Sequence, residues 1–571
     1  MQASDQTYLS LGWVPVNVRH RTVPIALNAS ARYGLLQAVS PMSMDRPLAH
    51  PANQGWRKYR SVAMQAAAVV GVVFGVASIV PLGMYLLAPP DRVTNPLPAE
   101  PIIVSPAPPE SPPVIVIRDA GVVDVEAGRI RERQTIVIRN GVIETIGEGL
   151  TVPPGALTID GRGRYVMPGL IDTHVHLTTN EELLIYAATG VTTVQSLGDR
   201  VKDNQVRSAG VEAAALAGPG VVSCDFVAAG VSSDGVEAIV SDAVASGAEC
   251  IKMYSPPDWT NAQHRDLVKA ARARGLRIGG HLPRNLPLDQ ALANGQQFVA
   301  HAEEFLYAYF FKFPDRLNEA RIAENATAVR ASGLSVTPTL VAYHAIVRQV
   351  GPEIDALIVR PELRYVPRGV LERWKPPENR YRKRFTAADG ERLNDAFVFQ
   401  QKLVRAWSDA GVPLALGTDA SPMMPFVVPG FSALDELDEL RQAGLTPAQV
   451  LRAATIDGAT LAGRSDRGVI APAKRADLIV LDANPLDDVR HVRRRHGVMV
   501  KGRWMSEEWL QKELARRSEQ TTARGPARRE QVAPPSTGLS AAVVRLPRGQ
   551  RPEDSPNHSA DAESGRSRIP H

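Results

Sequence analysis

Eight short apolar segments between residues 165 and 420 constrain the fold of this chain more than any other feature. Most of them are joined by stretches with helical periodicity, such as VEAIVSDAVASGA at 236–248 and AQHRDLVKAARARG at 262–275. Strands that alternate with helices form parallel sheets, and eight such units close a TIM-type (β/α)8 barrel. We therefore expect an α/β fold with this barrel over residues 165–462.

The two flanks of the barrel carry a different pattern. Residues 114–164 consist of short apolar–polar alternations separated by Gly- and Asn-containing turns, and residues 463–505 return to that alternation in ADLIVLDANP and GVMVKGRW. Such alternation is typical of half-buried β-strands. The simplest prediction is one small β-sandwich subdomain formed by both flanks.

A stretch of thirty residues between Arg60 and Asp91 has no charged side chain. An apolar helix of roughly 20 residues spans a bilayer core, so we predict an N-terminal transmembrane helix over 61–88. The basic RKYR directly before it would keep residues 1–60 in the cytoplasm, as a disordered segment, and send the rest of the chain across the membrane. A cleaved signal peptide is the alternative.

Two further segments have the composition of linkers. Residues 89–113 contain ten prolines, which indicates a stiff, extended stalk. Residues 506–571 are rich in Arg, Ser, Gly and Pro and poor in large apolar side chains, so we predict a disordered tail there.

The net charge of +5 lies in the ends of the chain. Residues 1–60 carry +5 and residues 511–571 carry +4, which leaves residues 61–510 at −4. Proteins that bind nucleic acids through their folded core are usually basic there. We therefore expect no nucleic-acid partner.

Cys224 and Cys250 are the only cysteines. Two cysteines do not make a disulfide framework, and no C-x-x-C spacing is present. Both lie in apolar, strand-like runs, so we expect buried free thiols.

Several strands of the predicted barrel end in, or contain, side chains that can bind a metal ion. Strand one ends in DTHVH, where the two histidines share one face because side chains on a strand alternate. The full set is His174, His176, Lys252, His281, His301 and Asp419. The carboxyl ends of barrel strands meet at one mouth, where the active sites of such barrels lie. Each of these residues alone could be structural, but their occurrence in strand order predicts a metal centre. Asp172, deeper on the first strand, is predicted to orient an imidazole or a backbone group instead.

These segments resemble the amidohydrolase superfamily of metal-dependent hydrolases. PGLIDTHVHL, IKMYS, GGHL, AHAEE and LGTDA stand where that superfamily places its ligands, and GVIAPAKRADLIVLDANPL resembles the segment in which its flanking β-sandwich resumes. The resemblance covers residues 114–505. GAECIKMYS is similar to the branch of prolidase-like and Xaa-Arg-dipeptidase-like enzymes, in which a lysine of strand four is carboxylated.

That resemblance implies two metal ions, most simply zinc, although other divalent transition metals suit the same ligands. One metal would be held by His174, His176 and Asp419 and the other by His281 and His301, with a carboxylated Lys252 bridging them. The alternative is a mononuclear site, as in the deaminase-like branches, in which Lys252 is structural.

The chemistry implied is attack of a metal-activated hydroxide on a polarised carbonyl. Asp419 would take the proton and pass it to the leaving amine. Tyr254 would contact the substrate or the developing oxyanion, or else simply pack. Tyr343 and His344 are candidate substrate-binding residues. The insertion at 343–400, rich in Arg, Pro and aromatic residues, would set specificity, and its basic character suggests either a substrate carboxylate or a solvated helical face.

We therefore predict a membrane-anchored amidohydrolase with its catalytic domain outside the cytoplasm, in the periplasm if the source is bacterial. Its small-molecule substrate would be a dipeptide or an N-acyl amino acid. A mononuclear deaminase or cyclic amidase, and a catalytically inactive surface binding protein, are the alternatives. The sequence does not indicate an oligomeric state.

Overall fold

The structure, a computed structural model, describes residues 105–227, 233–254 and 259–523. The predicted cytoplasmic segment and transmembrane helix, most of the stalk, and residues 524–571 lie outside this part. Within the described ranges, none of the helices has the length and hydrophobicity needed to cross a bilayer.

The strands are β1 Val114–Asp124, β2 Arg129–Arg139, β3 Val142–Glu148, β4 Leu157–Asp160, β5 Tyr165–Pro168, β6 Leu170–Val175, β7 Val191–Leu197, β8 Gly220–Val227, β9 Cys250–Met253, β10 Arg277–Gly280, β11 Phe298–Ala300, β12 Ser335–Thr337, β13 Leu478–Leu481, β14 Arg495–Val500 and β15 Arg503–Ser506. The α-helices are α1 Glu181–Ala188, α2 Val201–Glu212, α3 Ser233–Ser246, α4 Asn261–Ala273, α5 Leu288–Ala293, α6 Glu303–Ala308, α7 Ile322–Ser332, α8 Leu340–Val350, α9 Ile354–Leu357, α10 Arg368–Trp374, α11 Arg380–Arg384, α12 Gly390–Asp409, α13 Phe431–Gln442, α14 Pro447–Arg452, α15 Gly458–Leu461 and α16 Glu507–Ala523.

Strands β6 to β12 form a seven-stranded parallel sheet in sequence order, with at least one helix between each pair of neighbours. The predicted eighth strand is not a continuous strand. Residues 414–420 instead bridge the two edges of the sheet through the parallel pairs Val336↔Leu414 and Val175↔Ala420. The sheet is therefore a nearly closed barrel of the TIM type, and its seam is an irregular segment.

The first barrel strand begins at Leu170, later than residue 165, where the barrel was predicted to start. The segment YVMPGLIDTHVH is divided at Gly169, because β5 belongs to the flanking sheet while β6 belongs to the barrel. Strand β5 is parallel to β1 and antiparallel to β13. A continuous apolar run cannot reveal such a change of sheet, since both halves are buried.

The two flanks do combine into one module, as predicted. Its strand order is β15-β14-β13-β5-β1-β2-β3, with β4 paired to β1, so that the pairing of β5 with β13 joins the N-terminal and C-terminal flanks. The eight strands form one continuous hydrogen-bonded sheet rather than the two separate sheets expected of a sandwich.

Two segments predicted to be linkers are partly folded. Helix α16 occupies residues where the disordered tail was expected to begin, and its Leu510 and Leu514 are buried. At the other end, Ser105 is buried with its hydroxyl bonded to the Ala217 carbonyl, and Ser111 accepts a hydrogen bond from the Trp504 backbone. In both segments, a few contacts between residues distant in sequence order the chain despite its linker-like composition.

The cysteines are joined, which corrects the expectation of free thiols. Cys224 on β8 and Cys250 on β9 are direct partners in the parallel register, with 4.4 Å between their Cα atoms, and form a disulfide. The spacing of 26 residues along the chain gave no sign of this pairing. It arises because the barrel places the two strands side by side.

Candidate metal-binding active site

His174 and His176 lie at the carboxyl end of β6 and point toward the mouth of the barrel. Their Nε2 atoms each lie 3.2 Å from Oδ1 of Asp419. The His176 amide donates a 2.9 Å hydrogen bond to the Ala420 carbonyl, and the Asp419 amide donates a 2.7 Å bond to the His174 carbonyl. The backbone of the seam thus fixes Asp419 against the two histidines.

Lys252 and His301 complete the centre of the cluster. The Lys252 ammonium nitrogen lies 3.0 Å from His174 Nε2, and the rings of His174 and His301 are 4.6 Å apart. Ligand atoms of His174, His301 and Asp419 all lie within 4.8 Å of one another. The strands and the seam that carry these residues are far apart in sequence. Their meeting here is what we expected, because the carboxyl ends of the barrel strands lie at one mouth. The four residues are His174, Lys252, His301 and Asp419.

His281 lies at the far side of the cluster, with its ring centre 5.1 Å from that of His301. The glycine before it is required by the close packing of β9 and β10. A Cβ atom on Gly280 would stand 2.5 Å from the Met253 carbonyl oxygen and 2.9 Å from Lys252 Cγ, and the residue has φ of +115°. Only glycine fits there, and so GGHL brings His281 up beside Lys252.

Two of the candidate ligands adopt left-handed backbone conformations. His301 has φ of 77° and Asp419 has φ of 58°. Few residues other than glycine adopt this region, and such outliers concentrate at functional sites. In both cases the backbone turn brings the side chain into the mouth of the barrel.

Outer residues hold the imidazoles in place, and the sequence-based prediction did not include them. Asp199 Oδ1 lies 3.7 Å from His176 Nδ1, Glu304 Oε1 lies 3.3 Å from His281 Nδ1, and Thr339 Oγ1 lies 2.7 Å from His301 Nδ1. The Glu304 carboxylate is itself paired with Arg284. Partners of this kind orient metal-binding histidines and fix their tautomers.

Asp172 acts on the backbone, as predicted. Its Oδ1 accepts hydrogen bonds from the amides of His174 at 3.2 Å and Thr418 at 3.1 Å, and its Oδ2 accepts one from the Thr418 hydroxyl at 2.7 Å. The carboxyl group therefore ties β6 to the seam beneath the cluster. Burial raises its pKa to about 7.

The electrostatics of the cluster reflect its burial. Burial lowers the pKa of Lys252 to about 8 and, with help from the Lys252 charge, lowers the pKa of His174 to about 3. Burial opposes the charged form of His176 as well, but the Asp199 carboxylate raises its pKa to about 9. Burial also disfavours the charge of Asp419, yet the adjacent His174 holds the pKa of that carboxyl well below its ordinary value.

The donor set fits a divalent transition metal. His176 Nε2 and Asp419 Oδ1 face each other at 3.2 Å, are buried, and have no hydrogen-bond partner. Burying such atoms without partners is unfavourable, and a cation between them would satisfy both. Imidazole and carboxylate ligands suit zinc and related metals.

A pocket opens above the cluster. Its lining residues are His281, His301, Glu303, Ala342, Tyr343, Ile346, Arg380, Tyr381, Asp419, Met423 and Met424. Tyr343, a candidate substrate-binding residue, therefore lines the pocket. Arg380 and Tyr381 reach the pocket from the basic insertion. Burial, reinforced by the adjacent Glu304, raises the pKa of the Glu303 carboxyl to about 8.

The other two proposed substrate-contacting residues are placed differently. His344 does not line this pocket; its Nδ1 lies 2.6 Å from Glu439 Oε1 and its ring stacks on Phe397. His344 therefore faces Glu439 on helix α13, while Tyr343 on the same helix α8 faces the pocket. Tyr254 lies beside the cluster, with its ring centre 5.5 Å from that of His281 and its buried hydroxyl without a hydrogen-bond partner.

Comparison with known proteins identifies the family of the barrel and of the C-terminal flank. A model of the amidohydrolase family matches residues 165–505. Imidazolonepropionase from Salinispora arenicola is 24% identical in an alignment of 415 positions that covers 64% of this chain and 90% of that enzyme. A dihydroorotase from Trichlorobacter lovleyi is 46% identical over 63 residues, but the match spans only 15% of that enzyme and 11% of this chain.

Solved structures give the same architecture. Bottromycin amidohydrolase superposes with a TM-score of 0.58 at 25% identity, over 72% of this chain and 91% of that chain. A Xaa-Pro dipeptidase with methionine bound in its active site superposes with a TM-score of 0.53 at 19% identity, over 69% of this chain and 100% of that chain. The second likeness is one of fold.

Proposed function

The chain belongs to the amidohydrolase family and is a hydrolase that acts on carbon–nitrogen bonds, and from this premise we propose that it cleaves the amide bond of a dipeptide or an N-acyl amino acid. The observation that carries the proposal is the position of the pocket. Metal-ligand types form its floor, while Arg380, from the basic insertion, lines its wall. A carboxylate next to the scissile amide would therefore meet a guanidinium group, the side chain best suited to bind it.

The metal ligands proposed are the six residues of the cluster. His174, His176 and Asp419 would hold one ion, and His281 and His301 a second, with a carboxylated Lys252 between them. When bound, the metals would lower the pKa of a water molecule and polarise the substrate carbonyl.

The chain's own groups supply the proton transfers and the orientation. Asp419 lines the pocket, so its carboxylate would accept a proton and pass it to the leaving amine. Burial raises the pKa of Tyr254 well above its ordinary value, which keeps the phenol protonated. Its unpartnered hydroxyl is then available as a hydrogen-bond donor to the developing oxyanion.

One observation favours a second candidate, a mononuclear cyclic amidase or deaminase. The ligand atoms of His174, His301 and Asp419 form a compact group, close enough together to hold a single ion. Imidazolonepropionase, by its name an enzyme of a cyclic substrate, is among the relatives that match over most of their length.

Elemental analysis combined with a substrate screen separates these candidates. We expect about two equivalents of metal and hydrolysis of members of a library of dipeptides and N-acyl amino acids. One equivalent of metal and turnover of cyclic amides alone would favour the mononuclear candidate. A metal-loaded enzyme without activity on either set would overturn the proposal.

We further propose that the chain is anchored in a membrane by residues 61–88, with the catalytic domain outside the cytoplasm. The support is the sequence alone, namely the charge-free stretch and the basic residues before it. A reporter that is active only outside the cytoplasm, fused after residue 113, should be active. Activity of a cytoplasm-dependent reporter at the same position would contradict this topology.

A further inference from the structure

Glu303 is a buried carboxylate that borders the metal ligands without belonging to them. It begins helix α6, two residues after His301, and only 6% of its surface is exposed. It lines the same pocket as His301 and Asp419. An ionised carboxyl group in such a position is costly unless a cation accompanies it, so a cationic ligand in the pocket would stabilise its charged form.

The neighbouring acid, Glu304, has partners within the protein that account for its buried charge. Its carboxylate pairs with Arg284 and lies 3.3 Å from His281 Nδ1, where it orients a proposed ligand. Arg284 donates hydrogen bonds to both carboxylate oxygens of Glu304. Two successive acids thus have different roles, one turned toward the protein and one toward the pocket.

Helix α6 holds both acids rigidly. Phe305 is fully buried, and its ring lies 4.6 Å from that of Trp407 on α12, whose Nε1 donates a 3.0 Å hydrogen bond to Asn325. The first turn of α6 is therefore fixed relative to the barrel. A carboxylate on such a support can discriminate between ligands by charge, because it cannot move away from the wrong one.

The chemistry of the substrate shows what a carboxylate at this place would bind. In a dipeptide, a single carbon separates the α-ammonium nitrogen from the scissile carbonyl. A residue that binds this ammonium must therefore lie directly beside the groups that bind the carbonyl, as Glu303 does. In an N-acyl amino acid the same position is uncharged, and a buried carboxylate facing it would be left unpaired.

We propose that Glu303 binds the free α-ammonium group of the substrate and so selects dipeptides against N-acyl amino acids. This inference rests on the proposed amide hydrolysis and narrows its substrate class. With Arg380 on the wall of the same pocket, the two charges match the two ends of a dipeptide.

The rest of the pocket indicates the side chain of the first residue. Ala342, Ile346, Met423 and Met424 supply an apolar wall. Methionine side chains adapt to varied apolar groups. Dipeptides with an uncharged, apolar first residue are therefore the substrates expected.

The test compares leucyl-alanine with N-acetyl-leucyl-alanine, which share the Leu–Ala amide bond, in the metal-loaded enzyme. The wild type should cleave the free dipeptide with the higher kcat/KM. Glu303→Gln should lower kcat/KM for the free dipeptide by about 10- to 100-fold, the range expected when a charge-assisted hydrogen bond is lost, and should not lower kcat/KM for the acetylated compound, which has no cation for Glu303 to bind. Glu372→Gln, which alters an exposed acid of the basic insertion, is the matched control and should change neither rate.

Metal content and melting temperature of Glu303→Gln, measured in parallel, report whether the variant is folded and loaded. Equal losses on both compounds in a folded, loaded variant would overturn the inference and leave amide hydrolysis standing. A wild type that prefers the acetylated compound would overturn it as well. Hydrolysis of neither compound by the loaded wild type would overturn the proposed function, and the inference with it.

Discussion

The ammonium nitrogen of Lys252 lies 3.0 Å from Nε2 of His174, in the fully buried interior of the barrel. A cation at this distance from a metal-binding nitrogen would repel a metal ion. Carboxylation of Lys252 would reverse the sign of the charge and turn the same contact into part of a binuclear site.

We therefore expect Lys252→Ala to bind one equivalent of metal where the wild type binds two, and to lose activity by at least about a hundredfold, as when a group that stabilises the transition state is removed. Inductively coupled plasma analysis and steady-state kinetics would measure this. Lys202→Ala, which removes an exposed lysine of α2, should alter neither quantity. Unchanged metal content in Lys252→Ala would favour the mononuclear site.

Glu304 should matter through His281 rather than through the substrate. Glu304→Gln removes the negative charge 3.3 Å from His281 Nδ1, so we expect metal affinity to fall by about 10- to 100-fold, as for other partners of metal-binding histidines. Competition with a chelator would measure the affinity. High metal concentration should restore most of the activity; a loss that metal cannot restore would contradict this role.

Arg380 is expected to recognise the carboxylate of the substrate. Arg380→Met should raise KM for dipeptides by about tenfold or more, because a charge-assisted hydrogen bond is lost. Dipeptide amides, which lack the carboxylate, provide the control. The wild type should have a higher kcat/KM for the dipeptide than for the dipeptide amide, and in the variant the ratio of the two values should fall toward one. A ratio equal to that of the wild type would exclude this contact.

The stability of the fold should decline in mild acid partly through His264. This side chain is buried in α4, between Gln296 and Asn294, and burial lowers its pKa to about 4. Its ordinary pKa is about 6.5, so the folded state favours the neutral ring, and stability present above pH 6.5 is lost as the pH falls toward 4.

At pH 5 this loss amounts to about 2 kcal/mol, since one pKa unit corresponds to about 1.4 kcal/mol. Melting temperatures at pH 7.5 and pH 5 would reveal it. His264→Gln should show a smaller drop between the two pH values than the wild type. Equal drops in both proteins would show that His264 is not responsible.

The disulfide predicts that the oxidised chain contains no reactive thiol. Denatured without reductant, the protein should not be labelled by a maleimide; after reduction it should take up two labels, at Cys224 and Cys250. Because the bond closes a loop with a sequence separation of 26, the double variant Cys224→Ala/Cys250→Ala should lose about 3 kcal/mol of unfolding free energy. Labelling of both cysteines without reduction would contradict the pairing.

The arrangement of the cluster could be anticipated because it depends on two simple rules. Alternation on a strand places His174 and His176 on one face, and the barrel brings the ends of its parallel strands to one mouth. Lys252, His281, His301 and Asp419 meet there for the same reason. The glycine before His281 was visible in the motif, but its necessity depends on the packing of β9 against β10.

The residues that the sequence did not reveal depend on contacts between loops. Asp199 follows strand β7 by two residues, so the rule of strand ends, applied to that strand, would have found it. Glu304 could not be found in this way, because two glutamates, Glu303 and Glu304, follow each other in the sequence. Only the packing of α6 determines which of them faces His281. The disulfide and the folded start of α16 likewise depend on which distant segments become neighbours.

The irregular seam at 414–420 ties two properties of the enzyme together. The hydrogen bonds that close the barrel there, such as that from His176 to Ala420, are also the bonds that set the spacing of the histidines and Asp419. Substitutions in the seam would therefore change the stability of the fold and the geometry of the metal ligands together. In a laboratory evolution experiment, we expect fewer accepted substitutions at 414–420 than in the neighbouring loops.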